Sequence, residues 1–373
     1  MGIYPFVDGK LEDFEPIFEK LIKENNDATS ALYDPDKFAK PFFPVAESLV
    51  SRAKAAEKVG EKSEACDLYL RAAAVYRIAR FPINRSPLSQ KAWVDGAAAY
   101  VAAGEYLSPP NLEVEIPHKH AIAGEGDTIH AYLRIPAKEK ATNGFPVVLL
   151  MCGLDGYRTD YTARITEHTE RGFACLAVDI PGTADSPAAR NDPNSPDRLW
   201  SSVLDWMESS KARYGFDVSR VVARGISTGG YYALRVAYTH ADRLYAVVAQ
   251  GGGSHHMFDP EWIRAQNHME YPYALADALA HKFGYNSVDE YVGDNPRKKF
   301  SLLENGIFDM KKCARLLVIN GMEDSIFPVE DSWLALRRGP VKEARFLDDR
   351  QHVGNPGADA ILYDWIDQVT FGS

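Results

Sequence analysis

Cysteine is scarce in this chain: four residues in 373, none in a Cys-x-x-Cys or zinc-like spacing. That pattern excludes a disulfide scaffold and a cysteine-based metal site. Cys152 and Cys175 fall in apolar runs that read as core strands, and Cys313 sits just before another. The expectation is of buried free thiols in a reducing, cytoplasmic compartment. Long apolar runs are missing too: none approaches the roughly 18 residues of a membrane span. Positive charge is in deficit, with 42 Lys and Arg against 52 Asp and Glu and a net charge of −10. A pI near 5.5 excludes nucleic acid and anionic membrane surfaces as expected partners. Met1 to Pro5 lead into an acidic amphipathic stretch rather than the basic and apolar regions of a signal peptide. Phe6 stands where a myristoylation motif needs serine or threonine.

What is present suffices for a sizeable core, with 46% hydrophobic and 25% charged residues. The length suits a large catalytic domain with an accessory one. Residues 1–108 read as helix almost throughout. Phe14, Ile17, Phe18, Leu21 and Ile22 recur at helical spacing, and Ala65 to Ala79 and Ala92 to Tyr106 are Ala-rich. No period repeats three times, so an accessory helical domain is expected rather than a solenoid. Beyond Pro109-Pro110, residues 109–373 change to β-type runs. Leu112-Val114-Ile116 and Ile129 to Ile135 alternate as an antiparallel edge pair should. The runs Val147 to Met151, Ala174 to Ile180, Val221 to Ala223, Ala246 to Ala249 and Leu316 to Ile319 then alternate with helical stretches. That is the signature of a parallel sheet covered on both faces. Between about 251 and 310 the alternation breaks into helical pieces, which read as a lid inserted over the sheet; a decorated loop is the bland reading.

The third apolar run leads into Gly225-Ile226-Ser227-Thr228-Gly229, and a helical pattern begins at once. Gly-x-Ser-x-Gly between strand and helix is the nucleophile elbow of the α/β-hydrolase fold, whose glycines make room for a strained turn. The bland alternative is a Gly-rich turn with an incidental serine. A serine hydroxyl needs a base to take its proton and a third group to orient that base, in the chain order Ser, Asp or Glu, His. After Leu316 to Ile319 comes Gly321-Met322-Glu323-Asp324-Ser325-Ile326-Phe327-Pro328. Asp324 occupies the Gly-x-x-Asp-x-x-x-Pro position, with Glu323 the second choice. His352, in the loop after the run Ala344 to Leu347, is the histidine in place to act as base. An oxyanion hole needs two backbone N–H groups. Thr228 follows the serine, and in Gly153-Leu154-Asp155-Gly156 the Leu154 amide is the expected second donor, with Asp155 an alternative. The His255-His256 pair points in two directions on any regular element, so no metal and no cofactor are expected.

With these residues assembled, the chain resembles the FrsA-like α/β-hydrolases, which carry a helical region before the hydrolase core. Ala72-Ala73-Ala74-Val75-Tyr76-Arg77-Ile78-Ala79-Arg80-Phe81-Pro82 looks like that group's helical signature. Within the group it is most similar to the fungal yellowish-green pigment polyketide-shortening hydrolases. The residues that carry this are Gly153 to Arg158, Gly182-Thr183-Ala184-Asp185-Ser186-Pro187, Ser227 to Arg235, Ala249-Gln250-Gly251-Gly252, and Phe258-Asp259 with Glu261-Trp262. A bacterial relative, 2,6-dihydropseudooxynicotine hydrolase, shares the architecture and cuts a carbon–carbon bond. The resemblance implies hydrolysis of a C–C bond next to a ketone in an aromatic polyketide, a chain-shortening step of secondary metabolism and pigment biosynthesis, by a homodimer. It also implies an assisting carboxylate in the lid, for which Asp259, Glu261 and Glu270 are candidates. Asp155, Tyr157, Asp185, Tyr231, His255 and Trp262 are candidates to contact the small-molecule substrate, although Asp185 equally suits a structural loop and the aromatics a core. An esterase or lactonase would use the same triad, and a non-catalytic binding protein of this fold is the remote alternative.

Overall fold

The computed structural model describes residues 4–25, 33–138, 142–271 and 273–372. Its strands are Leu112–Pro117 (β1), Thr128–Arg134 (β2), Phe145–Met151 (β3), Ala174–Val178 (β4), Phe216–Ile226 (β5), Ala246–Gln250 (β6), Arg315–Gly321 (β7) and Glu343–Leu347 (β8). They form one sheet in the order β1-β2-β4-β3-β5-β6-β7-β8. β2 runs antiparallel to β4, and from β4 to β8 each strand is parallel to its neighbour. β3, β4 and β6 are buried along their whole length, as strands covered by helices on both faces must be. Register aligns the carboxyl ends: Met151 lies opposite Gly225, Ile226 opposite Gln250, and Gly321 opposite Leu347. In open sheets of this kind ligands bind beyond that edge. β5 starts at Phe216, well before the apolar run at Val221. Its first half is polar because Asp217 accepts from the Ser219 amide (3.1 Å) and hydroxyl (2.5 Å) and from Arg220 Nε (2.6 Å). Cys175, in β4, is buried, and burial pushes its thiol up to about 12, so it is inert at neutral pH.

Two compact units divide the chain: residues 1–113 with 155–162, and residues 114–154 with 163–373. The first holds helices Leu11–Glu24 (α1), Pro35–Ala39 (α2), Phe43–Lys58 (α3), Lys62–Ala79 (α4) and Pro87–Gly104 (α5). α5 opens on a Ser86 cap and a proline at its first position, the residue types that satisfy or dispense with free N–H groups there. α4 is buried almost continuously from Arg71 to Ala79. Arg77, near its end, and Arg80, just beyond it, explain why 155–162 belongs to this unit, which no local pattern in the sequence announces. Asp160, 3% exposed, lies 2.8 Å from Arg77 Nε and pairs with Arg80. It also accepts the Tyr157 amide at 2.7 Å and the Thr159 hydroxyl at 2.7 Å. Burial opposes its charge, yet the two guanidiniums and these donors hold the carboxyl below the ordinary range. Asp160→Ala takes from the buried Arg80 its paired carboxylate and leaves Arg77 only the longer contact to Asp8 (3.7 Å), and the loss should be about 3–5 kcal/mol. Urea denaturation checks this, and a loss below about 1 kcal/mol would show that the cluster is not a stabilising unit.

In the second unit the helices Thr162–Glu170 (α6), Ser195–Tyr214 (α7) and Thr228–Thr239 (α8) alternate with strands. Between β6 and β7 the chain instead forms short helices: Pro260–Ala265 (α9), Leu275–Lys282 (α10), Val288–Gly293 (α11) and Pro296–Phe300 (α12). Val329–Arg337 (α13) and Ala358–Phe371 (α14) complete the fold. The insertion has its own aromatic core: Phe283 stacks on Tyr291 (centroids 5.5 Å apart), tilts against Phe300 (4.6 Å) and meets Phe258 edge-on (5.5 Å). Lys282 is sealed inside it. Its Nζ donates to the Tyr232 hydroxyl and lies 3.8 Å from the Phe283 ring centroid. Burial, with no charged partner to offset it, puts its pKa well below the ordinary 10.5. Between that depressed value and 10.5 the unfolded chain holds one more proton than the folded one, so stability rises with pH across this window. Lys282→Met should therefore melt higher than the parent at pH 7, with the gap narrowing as pH approaches 10. Thermal melts over that range check the sign, and a variant that melts lower at pH 7 would refute it.

Candidate active site

Ser227 sits between β5 and α8 with φ 57° and ψ −123°, a left-handed conformation uncommon for a residue with a side chain. The flanking glycines make that turn possible. A Cβ on Gly225 would lie 2.0 Å from the Gly229 carbonyl oxygen. One on Gly229 would lie 2.3 Å from the Met151 oxygen and 2.4 Å from that of Cys152. The elbow is thus pressed against the start of the loop after β3. The Ser227 amide donates to Gln250 O at 2.8 Å, which ties the turn to the end of β6.

His352 Nε2 is 2.8 Å from Ser227 Oγ, and its Nδ1 is 2.8 Å from Asp324 Oδ2. Because a carboxylate only accepts, Nδ1 carries the proton and Nε2 is left to receive one from the serine. The Asp324 side chain is fully buried. Its second oxygen, Oδ1, accepts the amides of Ile326 (2.8 Å) and Phe327 (3.0 Å), while Oδ2 also accepts Asn320 Nδ2 (2.7 Å). Glu323, the second choice for the acid, is exposed, and its amide donates to the carbonyl of Arg350 (2.9 Å). Val353, next to the histidine, is β-branched yet has φ 61°. Gln250 Nε2 donates to its carbonyl at 3.1 Å and holds this strained position.

The two amides expected for the oxyanion hole belong to buried residues: Thr228 opens α8, whose dipole favours an anion at its start, and Leu154 lies in the loop the elbow touches. The substrate-contact candidates fare differently. Tyr157 is fully buried in the helical unit, donating to Asn84 Oδ1 (2.6 Å) beneath the Arg80 guanidinium (3.5 Å to the ring centroid). Its hydroxyl and its face are engaged by these packing partners. Tyr231 is 2% exposed and donates to Phe300 O at 2.7 Å, which anchors the insertion. Asp155 offers its carbonyl to Arg80 (2.9 Å), and Asp185 is exposed. His255 is buried with Nδ1 2.7 Å from Ser301 Oγ. Trp262 is half-buried and donates Nε1 to the carbonyl of Ile326 (3.3 Å), directly on the Asp324 loop.

Three supports lie outside the sequence motifs. Asp331, on α13, accepts the amides of Ser254, His255, His256 and Met257 at 2.7–3.0 Å and so anchors the start of the insertion. Burial raises its carboxyl above the ordinary range while those four N–H groups pull it back. Arg224, fully buried behind the elbow, bonds Gln250 Oε1 (3.0 Å) and Asp359 Oδ1 (2.6 Å). Glu270, from the insertion, reaches the loops of both Asp324 and His352. Neither Asp331 nor Glu270 carries a local signal, since their partners are 55 to 82 residues away in the chain.

A mostly parallel sheet with a strained serine at the strand-to-helix turn and a hydrogen-bonded histidine and aspartate beyond later strands defines an α/β-hydrolase. The family model described as Esterase FrsA-like matches residues 44–343. The chain belongs to the FrsA-like esterase family. It is 27% identical over 282 residues to esterase FrsA of Pectobacterium atrosepticum, covering 75% of this chain and 64% of the relative. To esterase FrsA of Salmonella paratyphi B it is 28% identical over 269 residues, covering 71% and 61%. The chain thus matches somewhat under two thirds of the length of these relatives. Among solved structures, 2,6-dihydroxy-pseudo-oxynicotine hydrolase shares the fold with a TM-score of 0.72 at 18% identity, over 92% of this chain and 93% of that one. Wild-type AbyA5 does so with a TM-score of 0.68 at 19% identity, over 96% and 94%.

Proposed function

We propose that this chain is a serine hydrolase that takes the acyl group of its substrate onto Ser227, cleaving a carbon–carbon bond next to a ketone in an aromatic, polyketide-type compound. The observation that carries the acyl transfer is the unbroken relay Ser227 Oγ, His352, Asp324, with both contacts at 2.8 Å. His352 Nε2 takes the serine proton as Oγ attacks the side-chain carbonyl. The Leu154 and Thr228 amides hold the oxyanion. The tetrahedral intermediate collapses by breaking the C–C bond, and the electron pair leaves as an aromatic enolate or phenolate, which receives the proton from His352. Water, activated by the same imidazole, then releases the acyl group as an acid and restores Ser227.

The carbon leaving group is supported by the loop motifs at 153–158, 182–187 and 249–262, which resemble those of polyketide-shortening hydrolases. It is also supported by the fold shared along nearly the whole chain with 2,6-dihydroxy-pseudo-oxynicotine hydrolase. A second reading, hydrolysis of a carboxylic ester, is favoured by the match to the esterase family over residues 44–343. The two are separated by mass spectrometry of products from an acyl-naphthol ketone and from an aryl acetate. Release of a shortened aromatic and a small acid from the ketone supports the first. Inertness toward it alongside fast ester turnover rejects the first in favour of the second.

A further inference from the structure

We propose that Glu270 is a positioning residue that fixes the distance between the two loops bearing Asp324 and His352, so that seating of the lid segment and alignment of the triad are one event. The inference rests on the Ser227–His352–Asp324 reading given above. Glu270 lies between α9 and α10, on the insertion. Its Oε2 accepts the amide (3.3 Å) and the hydroxyl (3.3 Å) of Ser325, the residue after Asp324. Its Oε1 accepts the amide of His352 (3.3 Å). Its own amide donates back to Ser325 Oγ at 3.2 Å. One carboxylate therefore spans the loop after β7 and the loop after β8. Nothing else among the described contacts of the insertion touches both.

The same face of the insertion makes two further attachments to the acid loop: Trp262 Nε1 and Gln266 Nε2 each donate to the carbonyl of Ile326 at 3.3 Å. Trp262, on α9, and Gln266, where α9 ends, are four apart and share one helical face, and Glu270 follows just beyond the end of that helical segment. A two-loop triad needs such a brace because Asp324 and His352 belong to different strands, and the hydrogen bond between them is only as constant as the gap between their loops. A carboxylate suits the task since it accepts several N–H and O–H donors at once. Those donors occupy both its oxygens, which argues for alignment rather than proton transfer by Glu270 itself.

The test uses the full chain, an activated aryl ester and active-site titration with a fluorophosphonate. Glu270→Ala should lower kcat per titrated site by roughly ten- to hundredfold, the scale of a misplacement near 1 Å, with KM changed less than about threefold on that same scale of effect. Glu270→Gln, which keeps an accepting oxygen for one loop but turns an NH2 toward the donors of the other, should recover kcat only in part. A role confined to folding would instead reduce the titratable fraction and leave kcat per site unchanged, and that result overturns the proposal. So does a change in KM alone, with kcat per titrated site at the parental value in both variants. Failure of the parent protein to label at Ser227 would defeat the triad reading itself, whereas normal labelling with unchanged kcat in Glu270→Ala defeats this inference alone.

Discussion

Ser227→Ala should lose turnover by about a millionfold, on ester and ketone alike. The variant deletes the atom that His352 Nε2 meets at 2.8 Å, the one placed to attack a carbonyl from the elbow. Alanine accepts the elbow no worse than serine, because the strain resides in the backbone at φ 57° and in glycines 225 and 229 rather than in Oγ. Folding should therefore be unaffected, and circular dichroism and thermal melting should match the parent. The residual rate should be that of an oxyanion hole and binding site acting without a nucleophile. Covalent labelling by a fluorophosphonate, followed by intact mass, reads the same atom directly. Labelling that persists in the variant, or turnover within tenfold of the parent, would sink the serine mechanism.

Asp324→Asn should lower kcat by about ten-thousandfold while leaving the fold intact, the size of effect known when a triad imidazole is locked in the wrong tautomer. The surroundings dictate how the amide will sit. Oδ1 accepts the backbone N–H groups of Ile326 and Phe327, so the asparagine must place its oxygen there and its NH2 toward His352. Asn320 cannot turn to accommodate it, since its own Oδ1 is held by the Gly321 amide at 2.9 Å while its Nδ2 points at the same spot. Facing a donor, His352 Nδ1 must become an acceptor, which puts the proton on Nε2 and denies the serine its base. The measurement is kcat against pH: activity should stay low at neutral pH and rise with alkali, as hydroxide ionises the serine without the imidazole. A variant retaining a tenth of parental kcat at pH 7 would show that Asp324 does not set the tautomer.

How far the site was legible in the sequence depends on the distance over which each constraint acts. Ser227, Asp324 and His352 were readable because each stands in a short motif or a loop of fixed order. Choosing Asp324 over Glu323 followed a spacing rule, and the fold gives the reason: only Asp324 has two amides and Asn320 to hold it. The surroundings of the aromatic candidates were less legible. Tyr157 and Tyr231 have the composition of a binding surface, but Asn84 and the Phe300 carbonyl take their hydroxyls, and ring packing takes their faces. The first half of β5 was hidden by Asp217, Ser219 and Arg220, polar residues that satisfy one another locally.

The sequence by itself determined the order of the elements, the elbow, and which serine, histidine and aspartate meet in hydrogen-bond contact. Each rests on physics of short range: steric room at glycines 225 and 229, apolar runs long enough for a two-faced strand, and a fixed chain order of nucleophile, acid and base. Tertiary structure alone decided which polar groups support them. Arg224 meets Asp359 across 135 residues, Ser254 meets Asp331 across 77, and Glu270 meets His352 across 82. Such pairings are set by how strands of one sheet and the insertion above it are brought to a common edge. A carboxylate finds its donors by position in space, and no local pattern of residues encodes that position.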